Sequence, residues 1–251
     1  MNPSPTSARN LRSAHDLGDV VLRPVRGHHA FEGCVEQLAT AIRLGVFASG
    51  SALPPERELA ERMGVSRATL REAIAGLRAA GMVRTTRGRG GGTVVSYEPT
   101  APARGGTPGI AERKGELLDS LVYRRVVEPG ACYVAASRTL SASERMLLTT
   151  SLQEVDRAED AATHRQADSR LHLAIASVTG SPMTIEAVTE VQGCLHDMLQ
   201  AIPVLEVNIE HSSRQHRSIV EAILGGDATK ARRAMEQHCD DTAALLRGLL
   251  G

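Results

Sequence analysis

The chain has 251 residues, 42% of them apolar, which is enough for one or two domains with cores of their own. Its five aromatic residues (Phe31, Phe47, Tyr97, Tyr123 and Tyr133) stand among abundant Ala and Leu, which disfavours a sandwich or barrel and favours helices. The net charge of zero conceals an asymmetry: residues 1–97 carry 13 basic against 8 acidic side chains and residues 98–251 carry 16 against 21, so only the front suits a polyanion.

The four cysteines, Cys34, Cys132, Cys194 and Cys239, are scattered and form no C-x-x-C. Neither a disulfide framework nor a cysteine-based zinc site is readable, and free thiols in a reducing cytoplasm are expected. No apolar run approaches the roughly 20 residues that span a bilayer, so no membrane partner is expected. The N-terminus, "MNPSPTSARNLRSAHDLGD", lacks the apolar core of a signal peptide.

In chain order, residues 1–27 read as a flexible basic arm. From Phe31 to Phe47 apolar residues recur at Val35, Leu38, Ala39, Ile42 and Val46, a helical stripe. Pro55 opens a second helix with Leu59, Ala60 and Met63 on its inner face, and Gly64 ends it. Ser66 caps a third helix that Gly81 stops. "MVRTTRGRGGGTVVSY" then reads as two short strands around a Gly- and Arg-rich tip. Three helices and a β-hairpin make a winged helix-turn-helix over 28–97.

Residues 98–112, rich in Pro and Gly, read as a linker. Beyond it the pattern is helical, with helices expected near 113–138, 142–159, 163–179, 182–202, 205–225 and 228–249. "SASE" from Ser141 has capping-box form, Asp227 caps the last helix, and Pro129 should kink or divide the first. The fold class is therefore mainly α, a winged helix-turn-helix followed by a six- or seven-helix bundle over 113–251.

If the third helix enters a major groove, its N-terminal and outward side chains meet the bases. These are Ser66, Arg67, Ala68, Thr69 and Arg71. Arg pairs bidentately with guanine, whereas Ser66, Thr69 and the helix N-terminus suit phosphates. Arg57 reaches from the preceding helix, and the tip, with Arg87 and Gly88, allows close approach to phosphates or the minor groove. In isolation an Arg-bearing helix is an ordinary solvated face.

"LPPERELAERMGVSRATLREAIAGLRAAGMV" resembles the DNA-binding domain of the GntR family of bacterial transcriptional regulators, over about residues 31–96. The resemblance implies principal DNA contacts by Arg57, Arg67 and Arg71, assisted by Ser66, Thr69 and Gly88. Ala68 departs from the pattern, since many members carry a hydrogen-bonding residue there, and the wing is unusually Gly-rich.

In the second half Asp168 and His172 lie at i, i+4, with His216 and His238 each within a later helix. Three imidazoles and a carboxylate directed inward would suit Zn²⁺ or Ni²⁺, while by spacing alone they could equally be ordinary core or surface histidines. "ADSRLHLAIASVTGSP" and "QHRSIVEAILGGDATKARRAMEQH" resemble the FCD ligand-binding domain of the FadR-like subfamily. That resemblance implies a divalent metal at Asp168, His172, His216 and His238, with a small organic acid bound beside it. Arg124 then becomes a carboxylate partner, its other reading being an ion pair with Glu128. Ser181 stands where most members have Asn.

The expectation is a cytoplasmic, homodimeric, ligand-responsive regulator, a repressor by preference, that binds a palindromic double-stranded DNA operator. It is not expected to be an enzyme. The competing readings are a metal-dependent hydrolase-like enzyme fused to a DNA reader, and a bundle that only dimerises or binds partners. Length argues against the family's aminotransferase-fused branch.

Overall fold

The computed structural model describes residues 17–18, 20–25, 30–85, 92–98, 113–200 and 206–250. Helix α1 spans Ala30–Arg43 and buries Leu38 and Ile42 of the expected stripe together with Cys34 and Ala41, while Val35 and Ala39 are half-buried. Helix α2, Glu56–Met63, starts after Pro55 and buries Leu59, Ala60 and Met63. Gly64 takes φ 64° and ψ 29°, and its N–H closes the helix on the carbonyls of Ala60 and Glu61. That left-handed turn is cheap only for glycine. Helix α3, Arg67–Ala79, is capped by Ser66, whose hydroxyl accepts from the Thr69 N–H at 3.0 Å.

Strands β1, Val83–Thr85, and β2, Thr93–Val95, pair antiparallel with Val83 opposite Val95 and Thr85 opposite Thr93. A bridge from Ala52 to Val94 ties the α1–α2 connection to the hairpin. The wing-tip residues Arg87 and Gly88 lie outside the described residues. Within the expected basic arm, Leu17, Val21 and Leu22 are buried, and the Val25 N–H donates to the Met63 carbonyl at 2.8 Å. Leu17, Val21 and Leu22 thus belong to the core, with Val20 and Val25 packed against it.

Six helices follow: α4 Lys114–Ser137, α5 Ala142–Arg157, α6 Ala161–Ser177, α7 Pro182–Gln200, α8 Glu206–Leu224 and α9 Ala228–Leu250. The capping box of Ser141 and Glu144 and the cap by Asp227, which accepts from the Lys230 N–H at 2.9 Å, are both present. A further capping box, Asp160 with Thr163, starts α6 earlier than its apolar pattern suggests. Pro129 does not divide α4, which runs through it. The lost backbone bond costs about 3 kcal/mol. Apolar burial of the same turn, at Ala131 and Cys132, works against that cost. Among the described residues no helix is long and apolar enough to cross a membrane.

Gly64→Ala forces a β-carbon into the left-handed region and within 3.3 Å of the Pro24 side chain. It should destabilise the protein by about 1–2 kcal/mol, read as a lower urea midpoint with an unchanged far-UV spectrum.

Candidate functional site

The hairpin comes first in the chain. Leu70, Ile74 and Leu77 of α3 face the core, leaving Ser66, Arg67, Ala68 and Arg71 exposed and Thr69 half-buried on the opposite side. Arg57 is 78% exposed and lies 3.9 Å from Glu61, a weak tether. Arg71 is held by Glu56, Nε to Oε2 at 2.8 Å, across the α2–α3 corner. Arg57 and Arg71 therefore stand on adjoining helices beside the α3 N-terminus. The Ser66 hydroxyl is already engaged by the Thr69 N–H and lies 2.9 Å from the Thr69 hydroxyl, so its main local work is the cap.

The second site lies within the bundle. His172 of α6, His216 of α8 and His238 of α9 are buried, with one ligating nitrogen from each within 4.8 Å of the others. Their ring centroids are 4.6–5.4 Å apart. Asp168, one turn before His172, places Oδ1 3.3 Å from His216 Nε2 and Oδ2 3.9 Å from His172 Nε2. The structure thus brings together all four residues singled out in the sequence.

Around them sits a shell of orienting groups. Glu128 Oε2 is 3.0 Å from His172 Nδ1, and its Oε1 accepts from Gln192 at 2.6 Å. Arg124 donates from Nε to Glu128 Oε2 at 2.9 Å, and its Nη2 lies 3.0 Å from His238 Nε2. Because a guanidinium only donates, His238 Nε2 accepts and Nδ1 carries the proton, which it gives to Gln215 Oε1 at 3.1 Å. Gln215 in turn donates to Asp241 at 2.7 Å. Such outer partners fix tautomer and ring orientation in metal sites.

The electrostatics follow from this packing. Burial lowers the His216 pKa to about 4, with His172, His164 and Arg124 pushing the same way against Asp168. Burial likewise holds His238 well below its ordinary value. His216 and His238 are therefore neutral near pH 7. Burial opposes ionisation of Asp168 and Glu128, yet their surroundings overcome it, the Arg124 guanidinium foremost for Glu128, and hold both below the usual carboxylate range. Burial pushes the Cys239 thiol up to about 12, which keeps it protonated and 3.7 Å from Glu128. Within the described residues, His216 Nδ1 and Nε2, His172 Nε2 and Arg124 Nη1 are buried without a hydrogen-bond partner. One nitrogen from each of the three buried imidazoles, with the Asp168 carboxylate beside two of them, makes a donor set that fits a cation.

A cavity of about 140 Å³ opens beside the cluster, lined among others by Arg124, His164, Arg165, Asp168, Gln215 and His238. Helix α6 also meets the end of α1. Gln166 donates to the Arg43 carbonyl at 3.0 Å, and Arg170, paired with Glu154, reaches the Gly45 carbonyl at 3.4 Å. Asp197 of α7 bridges Arg43 at 3.1 Å and Arg113 at 3.2 Å.

Residues 32–95 match the bacterial regulatory proteins of the gntR family, and residues 119–241 match the FCD domain. The chain is 32% identical over 215 residues to the putative HTH-type transcriptional regulator RmpR of Mycobacterium gastri, covering 82% of this chain and 76% of that one. The chain belongs to the gntR family of bacterial regulatory proteins. It is also 30% identical over 200 residues to a putative L-lactate dehydrogenase operon regulatory protein of Escherichia coli K12, covering 76% of each. The solved structure of E. coli McbR/YncC shares the fold, with a TM-score of 0.52 at 16% identity over 88% of this chain and 99% of that one. Members of the gntR family with an FCD domain are DNA-binding regulators rather than enzymes.

Gln192, Gln215 and Asp241 escaped the sequence reading. Gln215 precedes His216 and Asp241 lies one turn beyond His238, but only the packing of α8 on α9 makes them partners. Arg124 proves to be both the ion-pair partner of Glu128 and a cavity-lining residue. Removing one member of this buried pair should be costly: Arg124→Met should destabilise the metal-free protein by about 3–5 kcal/mol. The Arg124→Met, Glu128→Gln double variant should lose less than the sum of the singles in a urea-denaturation cycle.

Proposed function

We propose that this regulator is a homodimeric repressor of the FadR-like branch, loaded with a divalent metal and released from a palindromic operator by a small organic acid. The observation that supports it best is α6. One side of this helix offers Asp168 and His172 to the imidazole cluster, and another, through Gln166 and Arg170, holds the end of α1.

Asp168, His172, His216 and His238 would hold the ion, and their nitrogen-rich set favours Zn²⁺ or Ni²⁺. Bound there, such an ion supplies fixed positive charge for a carboxylate oxygen. His238 Nε2 must then turn from Arg124. The freed Nη2, with the unpartnered Nη1, faces the cavity as a two-pronged donor for the acid. One relative is named for an L-lactate dehydrogenase operon, which keeps small carboxylates among the expected signals.

On the DNA side, Arg67, Arg71 and Arg57 read bases, Ser66 and Thr69 meet phosphates, and Arg87 and Gly88 of the wing assist. The units would be a reader over 28–97, a linker over 98–112 and an effector domain over 113–251, working in the cytoplasm. Dimerisation is supported by α4, where Val122, Val126 and Tyr133 expose 54%, 70% and 46% of their surfaces. An acid drawing on Arg124 and on the cation that Asp168 and His172 would hold shifts α6, loosens its hold on Arg43 and Gly45, and so changes how two readers are spaced. An effect of ~1–3 kcal/mol is typical of such coupling.

Protein purified without added metal should carry close to one equivalent of Zn²⁺ or Ni²⁺ by mass spectrometry, and Asp168→Ala or His216→Ala should lose it. Metal-free wild-type protein would count against the reading. Arg67→Ala and Arg71→Ala should each weaken operator binding by about 1–3 kcal/mol with the fold unchanged; equal affinity in anisotropy titrations would remove them from the interface. Gln166→Leu should leave metal content and acid binding intact but shrink the acid's effect on operator affinity. An undiminished effect would show that the signal does not pass through α6.

A further inference from the structure

His164 is not used by the cluster, yet it belongs to the same row. On α6 it lies one turn before Asp168 and two before His172. Successive members of that row are about 6 Å apart along the axis. His164 is 8% exposed and lines the cavity with Arg124, Asp168 and His238. Its Nε2 is buried and has no hydrogen-bond partner among the described residues. Leaving such a group unmet costs about 1–3 kcal/mol, so a ligand that meets it gains specificity there.

The cavity wall sets two guanidiniums, Arg124 and Arg165, against two carboxylates, Asp168 and Asp241. Arg165, the next residue, also lines the cavity. The acidic liners are already engaged: Asp241 by His211, Gln215 and Gln237, and Asp168 beside His216. Asn208 and Ser212 add no charge. The cavity, about 140 Å³, is close to the ~150 Å³ that admits benzene, which limits the ligand to a small molecule.

We propose that the effector carries two acidic groups, a short dicarboxylate of four or five carbons. One carboxylate sits at Arg124 and the imidazole cluster, and the other, one helical turn away, accepts from His164 Nε2–H beside Arg165. This rests on the acid-effector reading above and narrows it, because a monocarboxylate such as lactate leaves His164 unmet.

The test is calorimetric titration of the metal-loaded, full-length protein with succinate and glutarate, against lactate, acetate and butyrate at matched ionic strength. A short diacid should bind at least about ten-fold tighter than the monoacids. His164→Leu should abolish that preference while leaving metal content and monoacid affinity unchanged, and His164→Gln, which keeps a donor, should restore part of it. Monoacids binding as tightly as diacids to the wild type would overturn the inference while sparing the acid-effector reading. So would a diacid preference that survives in His164→Leu with its metal content intact. No heat with any acid would end both. If His164→Leu loses its metal or unfolds, His164→Phe, which keeps a ring but no donor, takes its place: a diacid preference as large as wild type in that variant also counts against the inference.

Discussion

Everything in the bundle is arranged around a charge that has no access to water. Arg124 is 1% exposed and Glu128 2%, and from this pair the polar core branches to His172 on α6, Gln192 on α7, and His238 and Cys239 on α9. Taking two ions out of water costs several kcal/mol each, and their attraction seldom returns more than an apolar substitute would give. Such a pair is a poor choice for stability alone. Its value lies in position: both ions of a buried pair must be met, so α9 is fixed where His238 accepts from Arg124 and Cys239 donates to Glu128, α7 where Gln192 donates to Glu128, and α6 where His172 lies beside it. The same demand explains how α4 tolerates Pro129. A helix anchored at Arg124 and Glu128 and buried at Ala131 and Cys132 has no freedom to break there.

The cluster inherits its character from that anchor. Near neutrality His216 and His238 are held uncharged by burial, while Asp168 and Glu128 are held ionised by their neighbours. Neutral imidazoles beside a carboxylate are the protonation states a divalent cation needs, so no proton has to leave before one binds. The Asp241–Gln215–His238 chain sets one ring and Glu128 sets another. The ligands are thus oriented by groups that no cation would touch. Filling unmet nitrogens in such a core both stabilises it and selects one helix arrangement, since anything that binds only the folded state raises its stability by mass action.

How far this could be read from the amino-acid order depends on how local each feature is. The hairpin was legible because its determinants are neighbours: Pro55, Gly64 and Ser66 set helix ends within a few residues, and Leu59, Leu70 and Ile74 declare the inner face. Asp168 and His172 share a face by spacing, and resemblance to known sensors supplied His216 and His238. The outer shell was not legible. Glu128 meets His172 across 44 positions and Gln215 meets His238 across 23, and no periodicity encodes which turn of one helix faces which turn of another. Residues 17–25 misled for a related reason: a short polar-flanked segment with Leu17, Val21 and Leu22 has no pattern of its own until α1 and α2 offer it a surface.

The contact between α6 and α1 constrains any mechanism in one further way. Coupling between two binding events is reciprocal, so if an acid weakens operator binding by some factor, operator DNA weakens acid binding by the same factor. Gln166 and Arg170 stand where both effects must balance, within two residues of Asp168 and of His172 respectively on a single rigid helix. A linker alone would let the reader and the bundle sample arrangements independently and would carry little of that factor. A helix that cannot move at the cluster without moving at Arg43 and Gly45 carries it directly. Gly45, at φ 72°, is the backbone position that lets α1 end against the Arg170 guanidinium, since a β-carbon there would lie 2.6 Å from Nη1. In the acid-responsive reading proposed above, these polar contacts between α6 and the end of α1 are where a difference of a few kcal/mol between two arrangements would be set.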